Sequence, residues 1–248
     1  MTSGSLRARA ESGERLLGVL VRIPAEELVE MAAVAGFDFV LVDCEHGPAD
    51  VVALRQHIAV AAIHRVPVVV RVGENDPGMI LRALDQGAEG IVGPHVDTAA
   101  DAEALVAAAH YPPIGTRGFA TYSRAGRFGE TDPTGHRDWY HANTLVIGMI
   151  ESPAAVAEAD AIVATSGLDG VMIGPADLAA SSGTHDLPVA EAIKCVNTAI
   201  SSGGVLRMDI VSSVEAANAA FEQGAQLVVY NLAASLMTHL IGLLTPRN

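Results

Sequence analysis

Lysine is almost missing from this chain: Lys194 is the sole one in 248 residues. Schiff-base chemistry on a carbonyl substrate needs a lysine amine, so any such mechanism would rest on that residue alone. Cysteine is nearly as scarce. Cys44 and Cys195 lie in unrelated segments, which excludes a disulfide framework and a CxxC zinc site. Aromatic residues make up 4% of the chain, too few for the stacking platforms that hold single-stranded nucleic acid. Positive charge is in short supply as well. A formal net charge of −14 disfavours phosphate backbones and anionic lipid surfaces as partners. No apolar run is long enough to span a bilayer, and the polar stretch Met1–Glu14 lacks the apolar centre of a signal peptide. The expectation is a protein of the reducing cytoplasm that binds neither nucleic acid nor membrane.

What the chain has is small apolar residues in regular alternation. Half of it is hydrophobic, carried by alanine, valine and leucine, which excludes disorder. Short apolar runs predict strands near Leu17–Arg22, Phe37–Asp43, Pro67–Val72, Glu89–Gly93, Leu145–Glu151, Leu168–Gly174, Val205–Asp209 and Gln226–Tyr230. Most are apolar on both parities, as strands covered on both faces of a parallel sheet are. Helical patterns lie between them, at Pro24–Ala35, Asp50–His64, Pro77–Gln86, Thr98–His110 and Val214–Gln223. Gly36, Gly87, Gly167 and Gly224 stand where helices would stop before the next strand. The fold class expected is α/β, a (β/α)8 TIM barrel forming a single domain over residues 15–248 after a flexible segment at 1–14. A doubly wound open sheet is the alternative, but no glycine-rich dinucleotide fingerprint follows the first strand. Tyr111–Asn143 is too long for an ordinary loop and should wrap the barrel or meet another subunit. Asp177–Pro188 also fits the barrel pattern poorly.

In such a barrel the chemistry sits at the C-terminal ends of strands. Here those ends carry Asp43-Cys44-Glu45-His46-Gly47, Arg71, Pro94-His95, Glu151, Gly174-Pro175-Ala176-Asp177 and Asp209, and the opposite ends are expected to carry few ionisable residues. Glu151 and Asp177 are either a pair of solvated loop acids or two oxygen ligands for a hard divalent cation. His46 follows two acids, and a nearby carboxylate suits a histidine for proton transfer near neutral pH. Arg71 ends an apolar run and needs a partner such as Asp43 or Glu45. It can serve as a structural ion pair, as an electrophile toward a carbonyl or enolate oxygen, or as both. Gly174–Asp177 reads as a strand feeding a short helical turn, whose free N–H groups bind carboxylates. His95 has a minor claim to function. His57, His64 and His110 fall on helical segments as surface residues, and Cys44 should face the helices as a buried thiol. Lys194 belongs to an amphipathic helix of the outer ring, remote from the lumen.

The ordered motifs Asp43–Gly47, Val70-Arg71, Gly87–Pro94, Tyr111–Gly118, Ile150-Glu151 and Gly174–Leu178 resemble the HpcH/HpaI family of metal-dependent aldolases, from about Leu17 to Gly183. That resemblance implies a carbon–carbon lyase acting on 4-hydroxy-2-oxo acids through a pyruvate enolate, with an aldehyde as acceptor. It implies Mg2+, Mn2+ or Co2+ held by Glu151 and Asp177. Arg71 would contact the keto or enolate oxygen, and His46, oriented by Asp43, would move the proton. The backbone of Gly174, Pro175 and Ala176 would hold the substrate carboxylate, with Glu45 in support. It also implies a homo-oligomer, a hexamer or trimer. The chain departs from the family pattern at Met149, where a glutamine is expected, and at Val228–Asn231, where a glycine-serine-aspartate stretch is expected. A citrate-forming or malyl-thioester-type enzyme and a catalytically weak ligand-binding barrel are the competing readings. A phosphosugar enzyme fits less well, because Ile210–Ser213 and Asn231–Ser235 contain no glycine for a phosphate cradle.

Overall fold

A computed structural model describes residues 4–47 and 50–244. Its strands are β1 (Leu16–Val21), β2 (Phe39–Asp43), β3 (Val68–Arg71), β4 (Gly90–Gly93), β5 (Leu145–Ile150), β6 (Gly170–Ile173), β7 (Leu206–Val211) and β8 (Leu227–Asn231). They pair in parallel in chain order, and β8 closes onto β1. The eight expected strands and the closed barrel are borne out.

Helices fill the intervals. The first half holds α1 (Leu6–Glu11), α2 (Glu26–Ala35), α3 (Val51–His64), α4 (Pro77–Asp85), α5 (Ala99–Ala109) and α6 (Pro133–Asn143). The second half holds α7 (Pro153–Ala157), α8 (Ala159–Val163), α9 (Pro175–Ser181), α10 (Val189–Gly203), α11 (Val214–Glu222) and α12 (Leu232–Gly242). Local chemistry sets their ends. Asp50 caps α3 by accepting from the N–H groups of Val52 and Ala53, and Thr98 forms a capping box with Asp101 at α5. Gly36, Gly87 and Gly224 have φ of 96°, 102° and 96° at the ends of α2, α4 and α11, the left-handed conformation that stops a helix without a Cβ clash. Gly167, expected to do the same, has φ of 88° in the turn beyond α8, which already ends at Val163.

The two-residue period of the strands divides the core. One parity, with Leu20, Leu41, Val69, Ile147, Met172 and Val229, fills the lumen. The other, with Val40, Val70, Ile91, Val146 and Val171, packs against the helices through Leu54, Ile80, Leu105 and Val196. Cys44 joins this outer layer as expected, and burial, helped by the charge of Asp43, pushes its thiol up to about 12.

Three expectations need correction. Residues 6–11 of the segment expected to be flexible form α1, capped by Ser5, with Leu6 and Ala10 buried in the lumen cluster. The strand N-terminal ends are also not poor in charge. Arg9 pairs with Asp38 at 2.6 Å, Arg7 pairs with Asp169 at 2.7 Å, and Glu89 accepts the N–H of Leu6. These acids precede β2, β6 and β4, and they tie α1 across the lower mouth of the barrel. His57 and His110 are buried rather than on the surface, at 1% and 3% exposure. His57 lies one turn from Leu54 and Ala61 on the inward face of α3. Burial, with nearby positive groups, lowers His110 to about 4.

The long segment after α5 packs on the barrel as expected. Arg117 lies over the rings of Tyr111 and Tyr140, 4.4 and 5.1 Å from their centroids, and pairs with Asp85 at 2.5 Å. His136 Nε2 meets the Tyr111 hydroxyl at 3.0 Å, so this histidine is part of the packing.

Candidate active site

The lumen parity changes character at the C-terminal end of the barrel. Above Leu20, Leu41, Val69, Ile147 and Met172 the next inward positions are Arg22, Asp43, Arg71, Met149 and Gly174, and Glu151 follows Met149. An apolar plug below and a polar floor above follow from the same alternation.

Asp43 and Arg71 are register partners on β2 and β3. That places a buried carboxylate against a buried guanidinium. Arg71 Nε donates to Asp43 Oδ1 at 2.9 Å and Nη2 donates to Oδ2 at 2.6 Å, a two-point fork. Arg22 adds a contact to Oδ2 at 2.7 Å. Burial would raise the Asp43 carboxyl. The hydrogen bonds and charge of Arg71, the His46 N–H and Arg22 outweigh it and hold the group below the usual carboxylate range. Asp43 therefore stays ionised.

The remaining nitrogen of the fork, Arg71 Nη1, lies 3.1 Å from Glu45 Oε2 and 3.9 Å from the Met149 sulfur. Asp43 Oδ1 also accepts the N–H groups of Glu45 and His46, at 3.1 and 3.3 Å. This is how Asp43 orients His46: through the backbone of the turn and not through the ring. The imidazole itself is half exposed, with Nε2 3.9 Å from Glu45 Oε2.

Glu151 is buried just beyond β5. Its Oε1 accepts the N–H of His95 at 2.7 Å, and His95 Nδ1 lies 3.1 Å from the same oxygen. Burial pushes Glu151 upward, the His95 contacts pull it back, and the charges of Glu45 and Asp177 raise it again. Gly174 lies against this carboxylate. A Cβ there would fall 2.5 Å from Glu151 Oε2 and 2.8 Å from its Cβ, so glycine is required for close approach. Asp177 is exposed in the first turn of α9, and its charge reaches Glu151.

The ligand-capable atoms of Glu45, His95 and Glu151 lie within 4.8 Å of one another. Sequence reasoning placed Glu45 in a supporting role and gave His95 little. Nothing local marks His95, because its carboxylate partners come from β2 and β5. Asp209, expected at a strand end, lies inside β7 on the parity opposite to Leu206, Met208 and Ile210, so it points away from the lumen, where Arg207 Nη2 meets it at 2.6 Å. Lys194 is exposed on α10, beside an open groove of about 660 Å³ on the barrel exterior. It has no access to the lumen.

A parallel barrel whose C-terminal floor gathers a fixed arginine and a group of carboxylates beside histidine is the architecture of an enzyme that handles negative charge on a small substrate. The chain belongs to the HpcH/HpaI aldolase/citrate lyase family, whose model matches residues 17–237. A pyruvate aldolase of Rhizobium etli is 39% identical over 182 residues, covering 73% of this chain and 71% of its own length. A hydroxypyruvate/pyruvate aldolase of Sagittula stellata is 31% identical over 239 residues, covering 93% and 92%. The crystal structure of an HpcH/HpaI aldolase from Desulfitobacterium hafniense DCB-2 superposes with a TM-score of 0.90 at 28% identity, over 98% of this chain and 96% of that one. The expectations of family, barrel and a carbon–carbon lyase of the aldolase kind are borne out. Among the described residues no helix is long and apolar enough to cross a membrane.

Proposed function

We propose that this chain is a divalent-metal-dependent aldolase of the cytoplasm that makes or breaks the carbon–carbon bond of 4-hydroxy-2-oxo acids. The donor is a pyruvate-type 2-oxo acid and the acceptor an aldehyde. One observation carries the reading: the buried Glu151 carboxylate faces the charges of Glu45 and Asp177, beside an Arg71 fork already tied to Asp43. Acids gathered around a buried carboxylate suit a bound cation. The donor set fits a hard ion. Glu151 and Asp177 would hold Mg2+, Mn2+ or Co2+, and the remaining positions would go to water and substrate oxygens. When bound, the ion supplies Lewis-acid stabilisation of negative charge on a substrate oxygen.

The chain's own residues do the rest. Asp43 fixes two nitrogens of Arg71, so Nη1 can donate to the 2-oxo oxygen as it gains charge. Glu45 holds that nitrogen in place. The exposed imidazole of His46 moves the proton to and from the donor's methyl carbon through a water, with Asp43 setting its backbone. Gly174, the N-cap of α9, has no side chain to occupy the first turn. With Pro175 carrying no N–H, the amides of Ala176 and Asp177 remain to receive the substrate carboxylate. Lys194 lies outside the barrel, which favours this scheme over a Schiff base. The aldolase names of the relatives favour it over a citrate-forming reaction. A homo-oligomer, hexamer or trimer, completes the proposal; the uncovered apolar surface of α12 supports it.

The test is proton exchange at the pyruvate methyl group in D2O, followed by NMR alongside metal content. Chelation should abolish exchange, and Mg2+, Mn2+ or Co2+ should restore it. Glu151→Gln and Asp177→Ala should each lose bound metal and slow exchange by on the order of a hundredfold or more. Full exchange in metal-free protein would sink the reading.

A further inference from the structure

His95 is the one residue of the Glu45–His95–Glu151 group to which the reaction scheme above gives no task. It stands at the exit of β4 with φ of 52°, a backbone conformation that residues other than glycine seldom adopt. The effect of that conformation is specific. It turns the backbone N–H and the ring of one residue toward one oxygen: Glu151 Oε1 receives the N–H at 2.7 Å and has Nδ1 at 3.1 Å. The other ring nitrogen, Nε2, lies 3.7 Å from Glu45 Oε1. The two carboxylates are 2% and 8% exposed, whereas the imidazole is 63% exposed. The acids are held below, and the ring lies over them on the solvent side.

We infer that His95 is a nitrogen ligand for the divalent cation that Glu151 holds, so that this site is a mixed oxygen–nitrogen site in which the imidazole adds more affinity for Co2+ than for Mg2+. The inference rests on the metal reading proposed above and adds to it a third protein ligand. Mg2+ takes oxygen ligands and keeps its waters. A neutral imidazole is a softer donor and raises affinity for later first-row ions. The positive φ then has a purpose, since it brings the ring to the metal side of Glu151 while the N–H steadies the carboxylate. The competing view is an ion pair, with an imidazolium lying between two acids and no bond to metal.

Two measurements on the full-length protein separate these views. Pulsed EPR of the Mn2+-loaded wild type should show 14N modulation from a directly bound imidazole, and His95→Ala should lack it. Calorimetric titration should show Co2+ affinity falling by on the order of tenfold to a hundredfold in His95→Ala. Mg2+ affinity should change by less than about threefold. His95→Gly accommodates the backbone at φ of 52° and gives the same readouts if the alanine variant folds poorly. Metal binding without 14N modulation, modulation that survives in both variants, or equal losses for Co2+ and Mg2+ would overturn the role of His95. Each would leave the Glu151/Asp177 reading standing. A wild-type protein that binds neither ion would overturn both.

Discussion

Met149 carries the sharpest chemical question at the scale of single residues. It is 1% exposed, on the lumen parity of β5, one inward position below Glu151. Its sulfur is 3.9 Å from Arg71 Nη1, and its Cε is 3.4 Å from where a Cβ of residue 174 would stand. The thioether thus takes the place of a polar group beside the nitrogen expected to meet substrate. A glutamine has similar length, and its amide N–H group could donate to a substrate oxygen beside Nη1. Met149→Gln should raise kcat/KM for pyruvate-derived aldols by about fivefold, the worth of one net hydrogen bond of ~1 kcal/mol. The check is kcat/KM for pyruvate with a series of aldehydes, with thermal unfolding run in parallel. A fall with every aldehyde at unchanged stability would mean that Met149 suits a bulkier or less polar donor than pyruvate.

Elements differ in how openly the sequence announced them. All eight strands were legible because runs such as Val68–Val70 and Leu145–Ile150 are apolar on both parities and end at polar residues. The site residues were legible for the same reason, since a strand end is marked locally. What depended on distant partners was not. His95 owes its place to Glu151, and His57 owes its burial to the helices around α3. The six residues of α1, LRARAE, offer one leucine and no apolar period, so nothing local signals burial. Its docking depends on Asp38, Glu89 and Asp169, which come from three different strand approaches. Leu6 is 1% exposed and packs into the base of the lumen cluster. Leu6→Ala should therefore cost about 2–4 kcal/mol, seen as a lower urea midpoint. Bound metal should be unchanged, because the site lies at the other mouth. A loss below ~0.5 kcal/mol would show that α1 frays without affecting the barrel.

For the molecule as a whole, α12 is out of keeping with the other long helices. The 15-residue α10 buries Ala192, Val196, Ala199 and Ile200 against its neighbours, whereas α12 has no buried residue. Along it Met237, Leu240 and Ile241 are 55%, 52% and 60% exposed, and Leu243 and Leu244 continue the apolar surface. Apolar residues gathered this closely on one surface are a mark of an interface. The chain's charge of −14 makes casual self-association unfavourable, so association should be confined to surfaces such as this one, where apolar burial outweighs repulsion. Each copy presents the same helix, and its contact onto a different surface of the next copy closes into a ring when the rotation between copies allows it. Sedimentation velocity at tens of micromolar protein should therefore give a species of several chains, a trimer or hexamer. Leu240→Glu combined with Ile241→Glu should shift it to a smaller one, because carboxylates in a desolvated contact are costly. The barrel should stay folded in that variant, since neither side chain is buried in the single chain, and far-UV circular dichroism checks this. A wild-type protein that sediments as one chain, or a double variant that keeps the full assembly, would show that α12 serves some other contact.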